Sequence, residues 1–168
     1  YIRLNRDYPS YGGNQWNYTE PTASTFTVGS NSEVNGNNDN CIAHLWAPVD
    51  GFSASFRYTG NGAGGYPHAD GPNINLGFSP ALIIIKCIND YREWVMIDTS
   101  RTPDNAADRW LLANSYYTES SNYGDSRAVD IYSNGFKPRT FDNRVNDSNR
   151  DYIGFAWAEH PFKTARAR

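Results

Sequence analysis

Ala81-Leu82-Ile83-Ile84-Ile85-Lys86-Cys87-Ile88 is apolar at every position except Lys86. The run is far too short to span a bilayer. Its branched side chains favour a pleated backbone. It reads as a central strand buried on both faces. Working outward, further strands are expected at Thr25–Val28, Cys41–Ala47, Phe52–Tyr58, Trp94–Asp98, Trp110–Ala113, Val129–Tyr132, Phe136–Thr140 and Tyr152–Ala158. Between these runs lie Asn35-Gly36, Asp50-Gly51, Gly60-Asn61-Gly62, Asp70-Gly71 and Asn134-Gly135. Such pairs tolerate the positive φ that tight turns require. Ser133-Asn134-Gly135-Phe136 is a good hairpin signal, whereas Asn35-Gly36 opens a longer polar loop. The one helical candidate is Asp104–Ala113, after Thr102-Pro103, with Ala106, Ala107 and Trp110 on one side. A loop with at most one or two helical turns is expected there.

The pattern predicts an all-β fold, an antiparallel β-sandwich of jelly-roll or lectin-like shape, with long loops and at most one short helix. A chain of 168 residues can bury one proper core. The sandwich is expected over residues 25–168, with residues 1–24 as an N-terminal arm or linker. That first stretch is rich in Tyr, Asn, Gly and Pro and has no clear period. The plainer reading is a linker packed on the surface. The sharper one is an arm that docks on a neighbouring subunit through Tyr8, Tyr11, Trp16 and Tyr18. The chain opens at Tyr1 rather than Met, so a processed product or a piece of something longer is expected.

One repeat is visible. Val34-Asn35-Gly36-Asn37-Asn38 precedes Ile42-Ala43-His44-Leu45-Trp46-Ala47, and Val145-Asn146-Asp147-Ser148-Asn149 precedes Ile153-Gly154-Phe155-Ala156-Trp157-Ala158. The spacing is constant and gapless. A repeat this long is not a solenoid. It predicts two equivalent strands, side by side or across a pseudo-symmetric sandwich.

Composition narrows the function classes. The net charge is −3 and the basic residues are scattered, so the positive field that a duplex binder needs is missing. Nucleic acid is not an expected partner, and the basic end at Lys163, Arg166 and Arg168 reads as a solvated tail. No apolar run suggests membrane insertion, and no signal peptide is visible. Cys41 and Cys87 both lie in apolar runs and read as buried free thiols, with one disulfide between neighbouring strands as the alternative.

Phe56-Arg57-Tyr58-Thr59-Gly60-Asn61-Gly62 followed by Gly77-Phe78-Ser79-Pro80-Ala81 also carries a resemblance. The series continues through Trp94–Thr99 with Arg101 and Pro103, Leu111-Leu112-Ala113-Asn114 and Ser133-Asn134-Gly135-Phe136-Lys137, and finishes at Ala156-Trp157-Ala158-Glu159-His160-Pro161-Phe162. This ordered series resembles the C-terminal domain of marine bacteriophage virion and tail-fibre-like proteins, often found beside concanavalin A-like lectin modules. It covers about Phe26–Arg168. The resemblance implies a virion surface or tail setting and no catalytic residues. The ending from Glu159 to Arg168 resembles the natural end of such proteins.

Sugar cleavage needs two facing carboxyl groups, one with a raised pKa. The best carboxylate cluster is Asp98 with Asp104 and Asp108, and turn capping beside Pro103 is its plainer reading. His44, His68 and His160 have no zinc spacing. No Gly-x-Ser-x-Gly occurs, and the two cysteines read as inert. Gly60-Asn61-Gly62-Ala63-Gly64-Gly65 lacks the Lys of a phosphate-binding loop. His68-Ala69-Asp70-Gly71-Pro72-Asn73 is oxygen-rich but lacks a calcium ladder. No catalytic residue, metal or cofactor is therefore expected.

Aromatic loops remain. Trp110, Tyr116, Tyr117 and Tyr123 with Asn114, Asn122 and Asp125 combine stacking faces and polar groups, as glycan or subunit contacts would. Trp110 as core and the tyrosines as ordinary surface is the competing reading. Trp46, Trp94 and Trp157 read as core. The expected function is a virion structural domain, a tail fibre or surface appendage subunit. It would bind its own copies or other virion proteins without chemistry. A carbohydrate-binding receptor module for host-surface glycans is the alternative, and a glycan-cleaving tailspike is the more distant one.

Overall fold

The computed structural model describes residues 1–64, 70–119 and 127–161. The chain divides into two compact units, one of Tyr1–Ile2 with Ser10–Trp46 and one of Arg3–Pro9 with Ala47–Arg168. Thr25–Trp46, expected in the sandwich, groups with the first unit.

The larger unit, hereafter the body, is an all-β sandwich. Its strands are β1 (Ser53–Thr59), β2 (Ile74–Asn75), β3 (Pro80–Cys87), β4 (Val95–Asp98), β5 (Trp110–Leu112), β6 (Val129–Tyr132), β7 (Gly135–Pro138) and β8 (Asp151–Ala158). One sheet has the order β1-β8-β3-β4-β5 and the other β2-β7-β6, and every pairing is antiparallel. The β6–β7 hairpin pairs Tyr132 with Gly135 across Ser133-Asn134, as its turn chemistry predicts.

The core lies between the sheets. Ile83, Ile85 and Cys87 of β3, Val95 and Ile97 of β4, and Tyr152 and Ala156 of β8 meet Ile74, Val129 and Phe136 of the smaller sheet. The alternation in β3 and β8 is what a strand with one core face requires. Gly154 lies opposite Phe56, and a Cβ there would stand 2.1 Å from the Ile84 carbonyl and 2.4 Å from the Phe56 ring. The glycine makes room for Phe56, which meets Phe136 edge-on at 5.2 Å.

Lys86, the one polar residue of the apolar run, is fully buried. Its ammonium donates to the carbonyls of Asp7, Cys87 and Arg92 at 3.0, 2.7 and 2.8 Å. Burial pulls its pKa down. An ammonium has three donors, so this cage satisfies it and ties Arg3–Pro9 to the β3–β4 hairpin. Arg92 N donating to Asp7 O and Trp94 Nε1 donating to Arg3 O fasten the same segment.

Several expectations are corrected. Thr25–Val28 and Cys41–Ala47 form no strand, and Trp46 is 66% exposed rather than core. Asp104–Ala113 is not helical, because its apolar end enters the sheet as β5. The helical content of the described residues is a 3-10 turn at Asn14–Trp16 and one α-turn at Ser32–Asn35.

Tyr152 anchors β8. Its ring stacks on Tyr58 at 5.0 Å. Its hydroxyl donates to Asn143 O at 2.9 Å and accepts from Asp147 N at 2.8 Å. Burial raises the pKa of both tyrosines above the usual 10.0. The unfolded chain therefore ionises first. Their contribution is fully present below pH 10 and is lost as pH rises further. Tyr152→Phe keeps the ring and strands two polar groups, so urea unfolding should show a loss of about 1–3 kcal/mol at neutral pH. The decline of stability above pH 10 should become shallower in the same variant.

Candidate functional site

The N-terminal unit is built from backbone and side-chain polar bonds. Gly29 N donates to Gln15 O at 2.7 Å, Thr27 Oγ1 to Trp16 O at 3.0 Å, and Asn14 Nδ2 to Ser30 Oγ at 2.8 Å. Asn31 caps the turn Ser32–Asn35 by accepting from Glu33 N, a role its short amide suits. No large hydrophobic residue of this unit is buried. Ile42 is 85% exposed and Leu45 74%, and Trp16, Tyr18 and Trp46 are also open. Trp16 and Phe26 meet edge-on at 6.3 Å, and His44 stacks on Trp46 at 6.1 Å.

Trp16, Phe26, Ile42, His44 and Leu45 line a cavity of about 660 Å³. Its walls include Trp16, Phe26, Val34, Cys41, Ala43 and Leu45, with Glu33 and His44 also contributing. The lining is dominated by carbon, so the site attracts apolar groups and offers little to a charged ligand. Cys41 is exposed on it, contrary to the buried thiol expected, while Cys87 is buried, and both thiols are free.

The proposed assembly arm is split. Tyr11, Trp16 and Tyr18 belong to the N-terminal unit, whereas Tyr8 belongs to the body and packs edge-on against Tyr91 at 5.5 Å. Tyr11 N donates to Tyr1 O, and the two rings meet at 6.1 Å.

The aromatic loop is split as well. Trp110 is 1% exposed, with Arg127 over its ring at 5.8 Å, so it is core and not a contact residue. Asn114 accepts from Trp94 N at 2.8 Å and closes the β4–β5 end. Tyr116 is 92% exposed and meets the exposed Tyr117 at 5.0 Å. Tyr123, Asn122 and Asp125 lie outside the described residues, as do His68 and the basic tail.

The other candidates have structural partners. Asp98 accepts from Ser100 N and pairs with Arg101 at 3.8 Å. Asp108 accepts from Thr102. The glycine-rich loop is held by Asn146, whose Oδ1 accepts from Asn61 N at 3.0 Å. Asp70 pairs with Lys137, which pulls its pKa down. Among the described residues, no three His, Cys, Asp or Glu converge as metal ligands.

A model of the family described as Domain of unknown function (DUF7483) matches residues 1–161. The chain belongs to this family. The match spans both units, so the family's domain includes the apolar N-terminal unit as well as the sandwich. No curated protein and no solved structure matches the chain.

The sequence carried one signal for this site, the apolar Ile42 and Leu45, but an apolar run reads the same whether its partners are present or not. An environment-sensitive apolar dye should bind the chain and brighten. Phe26→Asp, or prior labelling of Cys41 with a bulky maleimide, should abolish the signal. Dye fluorescence unaffected by both changes would place the bound dye elsewhere.

Proposed function

We propose that this chain is a non-catalytic building module of a bacteriophage virion, in a tail fibre or surface appendage, that joins neighbouring modules by non-covalent contact. The observation that carries the reading is the apolar surface of the N-terminal unit. Trp16, Phe26, Ile42 and Leu45 present carbon to water around one cavity, and Trp46, next after Leu45 in the chain, is also exposed. Exposed apolar clusters of this kind mark association surfaces. The virion setting rests on the resemblance of the ordered series from Phe56 to Phe162.

A second reading is recognition of host-surface glycans, supported by the open Tyr116–Tyr117 pair. Sugar C–H faces stack on such rings. That reading needs no contribution from the N-terminal unit.

Light scattering separates the two. The 168-residue chain should gain mass with concentration. An Ile42→Asp/Trp46→Asp variant should remain monomeric with an unchanged unfolding midpoint. A chain that is monomeric throughout contradicts assembly through this surface. Glycan-array binding lost in Tyr116→Ala/Tyr117→Ala would favour the second reading.

A further inference from the structure

The two repeated segments make the same bonds at one constant offset, that of Val34 to Val145. Asn31 O accepts from Val34 N and Asn35 N at 3.1 and 2.9 Å, and Asp142 O accepts from Val145 N and Asn146 N at 3.0 and 2.8 Å. Asn31 Oδ1 accepts from Glu33 N at 2.8 Å, and Asp142 Oδ1 from Arg144 N at 2.9 Å. Asn35 Nδ2 donates to Gly29 O at 2.9 Å, and Asn146 Nδ2 to Thr140 O at 2.8 Å. Asn38 and Asn149 both adopt positive φ, at 61° and 55°. Chance similarity between two polar loops does not reproduce side-chain and backbone bonds together.

In the body, a hairpin completes this unit. β3 lies beside β8 and sets Cys87, Ile85 and Ile83 opposite Tyr152, Gly154 and Ala156. The turn from β3 to β4 carries two acids that meet two bases of the repeated turn. Arg144 Nε lies 3.0 Å from Glu93, and Arg150 Nη2 lies 3.8 Å from Asp90.

The N-terminal unit keeps the apolar side of this arrangement and reverses the charged side. Cys41, Ala43 and Leu45, the counterparts of Tyr152, Gly154 and Ala156, line the cavity. Glu33 stands where the body has Arg144, and Asp39 stands where it has Arg150. Cys41–Ala47 itself forms no strand.

We propose that the N-terminal unit receives a β-hairpin of a partner polypeptide, one with alternating branched apolar side chains like those of β3 and with basic residues in place of Asp90 and Glu93. The partner strand adds to Cys41–Ala47 through backbone bonds and lays its alternate side chains into the cavity. The charge reversal sets the choice of partner. Asp90 and Glu93 of a second copy's hairpin would meet Asp39 and Glu33, like against like, so that hairpin is rejected. Self-contact through the apolar side chains is what remains when no basic hairpin is present. This inference rests on reading the apolar surface as an association face and names what that face takes.

The test uses two synthetic peptides of residues 82–98, backbone-cyclised to hold the pairing of Leu82 with Asp98. Both carry Cys87→Ser, and one also carries Asp90→Lys and Glu93→Lys. Each is labelled with fluorescein and titrated with the 168-residue chain at concentrations where light scattering shows a monomer. The lysine peptide should bind about 10-fold more tightly than the acidic one, and added salt should narrow the gap. Glu33→Lys/Asp39→Lys should reverse the preference. Saturating lysine peptide should slow amide exchange of Ile42–Ala47 about 100-fold or more. Equal binding of the two peptides, binding of neither, or exchange at Ile42–Ala47 unchanged by bound peptide overturns the inference. A chain that never self-associates yet binds the lysine peptide refutes assembly between copies and leaves this inference standing. A chain that self-associates but binds neither peptide does the reverse.

Discussion

The last strand of the sandwich is inserted inside its main sheet, between β1 and β3. Everything else in the body follows from that insertion. β8 is hydrogen-bonded to β1 on one side and β3 on the other, so the sheet cannot close until the final segment has arrived. The approach is set by the Asp142–Arg150 turn. Asp142 nucleates it, and Asn146, fully buried, bonds across to Asn61 and Thr140. Tyr152 then fixes β8 by a ring stack and two hydroxyl bonds. These contacts join residues far apart in sequence, so loop closure must precede most of the apolar gain.

The same constraint explains the N-terminal unit. It repeats the turn that precedes β8, yet the segment after its turn, Cys41–Ala47, forms no strand. Its short polar bonds hold shape while its apolar side chains remain in water. Contiguous exposed apolar side chains of this kind mark association surfaces.

Most of the body was legible in the sequence. Ala81–Ile88, Trp94–Asp98 and Tyr152–Ala158 declared themselves by apolar periodicity, and Ser133-Asn134 by its turn chemistry. β2 was missed because two residues carry no period. Lys86 was visible as an exception, but the carbonyl of Asp7 that helps to cage it lies 79 residues away. The misplaced residues share one cause. Cys41–Ala47 and Trp46 have the pattern of a core strand, and pattern reports what a segment needs rather than what it has. Trp110 went the other way: the strand expected at Trp110–Ala113 forms as β5, and it delivers to the core a ring that had also been grouped with the loop tyrosines as a contact residue. The constant spacing of the repeat was legible too, yet one copy, Tyr152–Ala158, lies in a strand and the other, Cys41–Ala47, does not.

Residue-resolved amide hydrogen exchange on the 168-residue chain tests this account most directly. The account predicts that amides of Tyr152–Ala158 exchange in the slowest class, at the rate of global unfolding, while those of Ile42–Ala47 exchange near the rate of an open chain. Equal protection of the two segments would contradict it, because the repeat would then be satisfied in both copies.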